Sequence, residues 1–219
     1  MGEKRQARQG ADVLLQEEPL RFQTRKQVGL LGGNFNPVHL AHLVMADQVQ
    51  NQLGLDKVYL MPTYLPPHVD EKKTISSEHR LAMLELAVAD NPCLDIEPIE
   101  LIRKGKSYTY DTMKALKEAN PDTDYYFIIG GDMVEYLPKW HRIDELLHLV
   151  QFVGIRRPNY PTESTYPIIW VDVPQMAISS TLIRQKVKSG CSTRYLLPEN
   201  VINYIQEKGL YQDELDNKL

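Results

Sequence analysis

The sequence predicts an α/β fold, a doubly wound, mostly parallel sheet with helices on both faces, and three observations carry that expectation. Short apolar runs that suit buried strands alternate with stretches that repeat apolar residues at helical spacing. Every segment dense in chemistry-bearing residues follows such a run or opens such a helix, as expected where ligands sit at the carboxyl ends of parallel strands. With 219 residues and a balance of 42% hydrophobic and 25% charged side chains, the chain can bury one full core.

In chain order, Met1 to about Arg25 is rich in Gln, Glu, Arg and Lys without a sustained pattern. It is expected to be a mobile extension (residues 1–25) preceding a single domain over residues 26–219. Leu14-Leu15 and Leu20 to Phe22 are apolar enough for part of it to dock as a short helix, for instance at a subunit contact of a homo-oligomer. Val28 to Leu31 reads as a buried strand, Gly32-Gly33 and Asn36-Pro37 as a tight turn, and Val38 to Leu53 as a helix. Val58 to Met61 is a strand ending at Pro62; Ser77 to Ala89 is a helix; Leu94 to Ile99, which carries Pro98, reads as an edge. Thr109 to Ala119 is a helix stopped by Asn120-Pro121, and Tyr125 to Ile129 a buried central strand. Phe152 to Ile155 and Ile168 to Val171 supply two more strands, and a helix begins near Ser179 or Ser180. Pro62 to Ser76 and Arg156 to Pro167, with three prolines each, are loops placed either to connect or to close over a ligand. Strand order is not readable from such a pattern.

Two segments stand out chemically. His39 and His42 lie three residues apart, one helical face, beside the free amides and positive dipole end of a helix, a place suited to polyphosphate. The pair could instead be half of a zinc site, but His68, His79, His141 and His148 show no ligand spacing relative to it. Near the other end of the chain, Ile178-Ser179-Ser180-Thr181-Leu182-Ile183-Arg184 places a serine N-cap, hydroxyls and a guanidinium one turn later around the start of a helix. That is a set of donors for one anion, or alternatively an ordinary capped helix with a surface arginine.

Taken together the two segments resemble the nucleotidyltransferase superfamily marked by His-x-Gly-His early and Ser-x-Thr-x-x-Arg late. Ser107 to Thr112, Gly130-Gly131-Asp132-Met133 and Leu137-Pro138-Lys139-Trp140-His141 look like the central motifs of the bacterial nicotinate mononucleotide adenylyltransferases. The match runs from about Gln27 to Tyr211. It implies a Rossmann-like sheet of nucleotidyltransferase type. Ala41 stands where the family glycine usually is, Asn34 where Ser or Thr is common, and Val69 where a lysine often follows Pro66-Pro67-His68. With the last departure a phosphate contact is expected to be lost or to move to Lys72 or Lys73, without changing the reaction.

The reaction implied joins the 5′-phosphate of nicotinate mononucleotide to the α-phosphorus of ATP and releases pyrophosphate. An already ionised phosphate needs no base, so positioning and charge neutralisation carry the catalysis. The resemblance makes His39, His42 and Arg184 the catalytic residues, with His42 on the α-phosphate. It places Gly32, Gly33, Asn34, Phe35, Gly130, Asp132, Ile178, Ser179, Ser180 and Thr181 with them around ATP, Asp132 on a ribose hydroxyl. Backbone around Val153 to Ile155, with Arg157, is assigned to adenine. Nicotinate mononucleotide falls to Asn36, Thr109, Tyr110, Trp140 and His141. Trp140 offers a face for the pyridine ring, unless it is simply a core aromatic, and the helix opening at Thr109 offers amides to the ring carboxylate. Asp111 reads as a first-turn charge steadying that helix. Mg²⁺ is expected to travel on the triphosphate with few or no protein ligands.

Composition narrows the classes further. A net charge of −4 argues against general nucleic-acid binding, and anionic substrates must then be drawn by local positive sites. Cys93 and Cys191 have neither metal nor disulfide spacing and suit a reducing compartment. No apolar stretch spans a bilayer and no signal-peptide core precedes Val28, so the chain is expected in the cytoplasm. Two rivals stay open: a sister adenylyl- or cytidylyltransferase acting on phosphopantetheine or choline phosphate, and a non-catalytic nucleotide-binding module.

Overall fold

The computed structural model describes residues 25–66, 74–157, 160 and 163–212. The extension before Arg25, and with it the expected docking of Leu14-Leu15 and Leu20 to Phe22, lies outside these residues, as do His68, Val69, Lys72 and Lys73. The elements in order are β1 (Lys26–Gly33), α1 (Leu40–Leu53), β2 (Lys57–Pro62), α2 (Ser77–Val88), β3 (Leu94–Ile96), α3 (Ile99–Arg103), α4 (Thr109–Ala119), β4 (Thr123–Gly130), α5 (Gly131–Val134), α6 (Ile143–Leu146), β5 (Val150–Ile155), β6 (Ile168–Val171), α7 (Ser180–Lys188) and α8 (Glu199–Glu207).

The six strands form one sheet in the order β3-β2-β1-β4-β5-β6, and every pairing is parallel, so the sheet is wholly rather than mostly parallel. The chain leaves β1 toward β2 and β3, then returns to lay β4 on the other side of β1. Where the winding reverses, helices depart to opposite sides and a crevice opens beyond the strand ends. The carboxyl ends flanking that crevice are Gly33 and Gly130.

Alternation along the strands feeds two cores. Leu31 and Ile128 pack with Ala46 and Val49 of α1, Met83 and Leu84 of α2, Ile183 of α7 and Val201 and Ile205 of α8. Val28, Leu30 and Phe127 face the opposite way, onto Met113 and Leu116 of α4 and Ile143 and Leu146 of α6. Helices therefore cover both faces, as expected for buried parallel strands. Leu94–Ile96 is an edge strand as read from Pro98, but Ile99 already belongs to α3. α1 begins at Leu40 rather than Val38, because Val38 is drawn into the core and His39, in an extended conformation, becomes the N-cap. Among the described residues no helix is long and apolar enough to cross a membrane.

Candidate active site

The turn after β1 is compact for a physical reason: a Cβ at Gly33 would lie 2.9 Å from the Phe35 ring. Phe35 adopts a left-handed φ of 46° and buries its side chain in the core. Its ring meets His42 edge-on at 4.9 Å, and His39 stacks on His42 at 3.6 Å. The His39 N–H donates to His42 Nδ1 at 3.3 Å. With Nδ1 accepting, the neutral imidazole of His42 carries its proton on Nε2, which makes it a donor. Burial pushes the His42 imidazole well below its usual range, and the neighbouring His39 pushes it further. The first-turn amides contribute less than the sequence suggests. Leu40 N–H donates to the Leu196 carbonyl at 3.0 Å, and His42 N–H to the His39 carbonyl at 2.9 Å. Side-chain imidazole, more than a row of open amides, supplies the donor at this helix mouth.

His39 is itself buried, and its Nδ1 has no hydrogen-bond partner among the described residues. Desolvation pulls its pKa from 6.5 down to about 4. A group depressed in the folded state stabilises the fold above its unfolded pKa and loses that contribution as pH falls. Lowering the pH from 7 to 4 should therefore remove about 3 kcal/mol of stability through His39. Urea unfolding of wild type and His39→Gln at both pH values checks this: the acid-induced loss should shrink by that amount in the variant, and an equal loss in both refutes it.

The late segment arrives against the early one. Ser180 Oγ donates to the Pro37 carbonyl at 2.8 Å, and Arg184 Nη1 donates to the Asn36 carbonyl at 2.7 Å. Arg184 Nη2 also reaches Thr181 Oγ1 at 3.2 Å, which holds the guanidinium flat along the start of α7. Ser179 caps that helix, its hydroxyl accepting from Leu182 N–H at 3.2 Å. Two residues expected to touch ATP are thus engaged elsewhere. Ser179 spends its hydroxyl on the cap and Ile178 packs against the core, and neither lines the cleft.

That cleft, about 840 Å³, opens at the carboxyl ends of β1, β2 and β4. It is lined by Gly32, Gly33, Asn34, Asn36, His42, Gly130, Asp132, Ser180, Thr181 and Arg184 of the expected set. Phe35 and His39 stand directly behind His42 and shape the wall without lining it. A Cβ at Gly131 would sit 2.8 Å from the Ile155 carbonyl, so only glycine lets α5 start this close to β5. Asp132 lies in the first turn of α5 rather than at its N-cap, which is Gly130. Arg157 Nη1 forms an ion pair with Asp132 Oδ1 at 3.4 Å without hydrogen-bond geometry, so this oxygen has a charge partner but no hydrogen bond among the described residues. Val153 and Ile155 are buried inside the sheet, leaving Arg157 as the cleft-lining part of the segment assigned to adenine.

The far end of the cleft is formed by Ser107, Tyr108, Thr109, Trp140, His141 and Glu100. Trp140 is both core aromatic and cleft wall. It meets Phe127 and Phe152 edge-on, each at 5.9 Å, and its indole N–H is buried without an acceptor among the described residues. Tyr108, the N-cap of α4, makes no side-chain cap, and His141 lies 4.6 Å from its ring. Tyr110, expected beside the acceptor, does not line the cleft: it is buried in the core under the Arg142 guanidinium, 4.0 Å from the ring centre. The helical period turns its side chain inward with Met113.

Residues the sequence reading passed over complete the site. Arg80, 1% exposed, straps two loops together by donating to the Asn34 carbonyl at 2.9 Å, Asn34 Oδ1 at 3.2 Å and the Thr63 carbonyl at 2.8 Å. Its spacing from Met83 and Leu84 puts it on the apolar face of α2, a signal that was present in the sequence. Glu100 is buried at the cleft floor, where desolvation pushes its carboxyl up while hydrogen bonds from Ser107 and Thr112 pull it back. Nothing in its local sequence marks it, since α3 is a single short helix brought there by tertiary packing.

The family model described as cytidylyltransferase-like matches residues 30–186, and the chain belongs to that family. Within it, the chain is 62% identical over 196 residues to a Streptococcus mutans protein named "Probable nicotinate-nucleotide adenylyltransferase", covering 90% of this chain and 93% of that one. A Streptococcus pneumoniae protein of the same name is 63% identical over 195 residues, covering 89% and 93%. The chain is thereby placed in the nicotinate-nucleotide adenylyltransferase branch. The fold is shared with Plasmodium falciparum nicotinic acid mononucleotide adenylyltransferase, solved in complex with NaAD, with a TM-score of 0.73 and 20% identity over 87% of this chain and 100% of that one.

Proposed function

We propose that this chain is an enzyme of NAD biosynthesis that transfers the adenylyl group of ATP to nicotinate mononucleotide, yielding nicotinate adenine dinucleotide and pyrophosphate. The observation that carries the reading is the direct contact of the early and late segments, Arg184 on the Asn36 carbonyl at 2.7 Å and Ser180 on the Pro37 carbonyl at 2.8 Å. That contact makes one donor-rich wall out of residues that the sequence holds far apart.

A phosphate oxygen of the acceptor forms a new bond to the α-phosphorus of ATP. The bond from that phosphorus to the bridging oxygen breaks, and pyrophosphate departs with the electron pair. No protein base is required, because the attacking phosphate is already ionised. His42 donates its Nε2–H to the α-phosphoryl oxygens, where charge builds up, and His39 holds its ring from behind. Arg184, Ser180 and Thr181 face the β- and γ-phosphates, and Gly32, Gly33, Asn34 and Gly130 allow backbone to approach the nucleotide. Asp132 takes a ribose hydroxyl. At the far end Trp140 and His141 flank the pyridine ring, the uncapped start of α4 at Thr109 receives the ring carboxylate, and Asn36 faces the acceptor phosphate.

Among the described residues no three His, Cys, Asp or Glu side chains converge, and a donor set of imidazole, hydroxyl and guanidinium fits a Mg²⁺ held by phosphate oxygens and water. The ion supplies charge neutralisation on the triphosphate. Residues 26–219 act as one catalytic domain, and a reaction fed by ATP is placed in the cytoplasm.

The test is pyrophosphate release by the full chain. ATP with nicotinate mononucleotide should give rapid release, nicotinamide mononucleotide much slower release, and CTP none. Release only with CTP or with phosphopantetheine overturns the acceptor and nucleotide assignment; nucleotide binding without release from any pair marks a non-catalytic module.

A further inference from the structure

α8 ends with Gly209 in the left-handed region at φ 63°, and the Gly209 and Leu210 amides donate to the Gln206 and Ile205 carbonyls at 3.2 and 3.0 Å. This pair of bonds reverses the chain direction, and the C-terminal flanking Leu210 is buried against the core. The next residue, Tyr211, also takes a left-handed φ, 65°, a conformation that side chains with a Cβ avoid. The turn aims the phenol inward. Tyr211 is buried, and its O–H donates to Asn36 Oδ1 at 2.8 Å across 175 residues of sequence.

Asn36 lines the cleft, and both of its oxygens are taken: Oδ1 by Tyr211 and the carbonyl by Arg184. Its amide nitrogen is the remaining polar group on a side chain whose orientation Tyr211 sets. Burial pushes the phenol far above its ordinary range, against the weaker pull of Arg184 and Arg80, so the hydroxyl stays protonated and stays a donor. Asn34 is strapped by Arg80 on the other flank. Between these two anchors Phe35 holds its own left-handed backbone. Phe35 and Tyr211, both left-handed, therefore meet Asn36 from its own loop and from the turn after α8.

We propose that Tyr211 is a positioning residue for the reaction: through its hydrogen bond to Asn36 it ties the turn after α8 to the wall of the cleft, and turnover depends on that tie. The role rests on the adenylyl-transfer reading. It acts at a distance, because a misplacement of about 1 Å in a loop that orients reacting groups costs on the order of a hundredfold in rate.

The experiment is a double-mutant cycle on the full chain, with Tyr211→Phe, Asn36→Ala and the combination, followed by thermal unfolding and by steady-state pyrophosphate release with ATP and nicotinate mononucleotide. Tyr211→Phe keeps the ring that fills the core and removes one oxygen. It should unfold as cooperatively as wild type, yet lose about tenfold in kcat/KM, chiefly in kcat, the scale of leaving one buried acceptor unpaired. In the Asn36→Ala background the same change should cost less than about twofold, because the bond it breaks is already gone. Wild-type kcat and KM in Tyr211→Phe, whatever its melting temperature, overturn the role, and so does an equal loss in both backgrounds. A wild-type chain that releases no pyrophosphate from this substrate pair sinks the adenylyl-transfer reading and the role together, whereas an active wild type beside an unimpaired Tyr211→Phe sinks the role alone.

Discussion

His42→Ala is expected to lower kcat by about 10²–10³-fold while ATP affinity changes only a few-fold, the cost of removing one donor aimed at developing charge. The expectation follows from three facts about this imidazole. It lines the cleft, its Nδ1 already accepts from the His39 amide at 3.3 Å, and burial keeps it neutral. In the proposed reaction, a neutral ring whose one N–H is Nε2 would gain most as charge accumulates on the α-phosphoryl oxygen. Ser180, Thr181 and Arg184 line the same cleft and would offer ground-state ATP other donors, so its binding should survive. Steady-state kinetics paired with calorimetric ATP binding separates the two effects. Turnover near wild type removes His42 from the chemistry, and loss of ATP binding in proportion to kcat makes it a ground-state ligand instead.

Arg184→Ala should be the second most damaging change, lowering kcat/KM for ATP by roughly a hundredfold, as expected for a charge-assisted, geometrically fixed donor. Its guanidinium has two tasks, since it faces the cleft and pins the Asn36 carbonyl and the Thr181 hydroxyl. Arg184→Lys keeps the charge but cannot make both bonds from one planar group, so it should recover only part of the loss. Inhibition by added pyrophosphate gives an independent readout, because in the proposed reaction the product would occupy the subsite of the β- and γ-phosphates. Both variants should be inhibited less strongly than wild type. Equal inhibition in all three proteins places Arg184 away from the leaving group.

Much of the scaffold is legible along the chain. α4 is readable to the residue, from Thr109 to Ala119, because Asn120-Pro121 ends it. β6 is likewise readable as Ile168–Val171, because a short apolar run follows a proline-rich loop. The boundary of α1 is not, because what draws Val38 out of the helix is a core assembled from α2, α7 and α8. The cleft-lining donors His42, Ser180, Thr181 and Arg184 are legible as residue types, since each sits at its own helix start. The acceptor end is legible in part. Thr109, Trp140 and His141 reach the cleft while Tyr110 turns inward, a difference of one position on a helix.

Local patterning, then, determines the alternation of strands and helices and the two donor-bearing helix mouths, because these depend on neighbours within a few residues, while the class of reaction follows from the motifs' resemblance to a family. Tertiary structure alone decides the strand order, the meeting of Asn36 with Arg184 and Tyr211, the strap from Arg80 to Asn34 and Thr63, and the burial that keeps the two imidazoles uncharged. Those contacts join positions from 17 to 175 residues apart. Hydrogen bonds and desolvation depend on distance in space, and no local pattern encodes that distance.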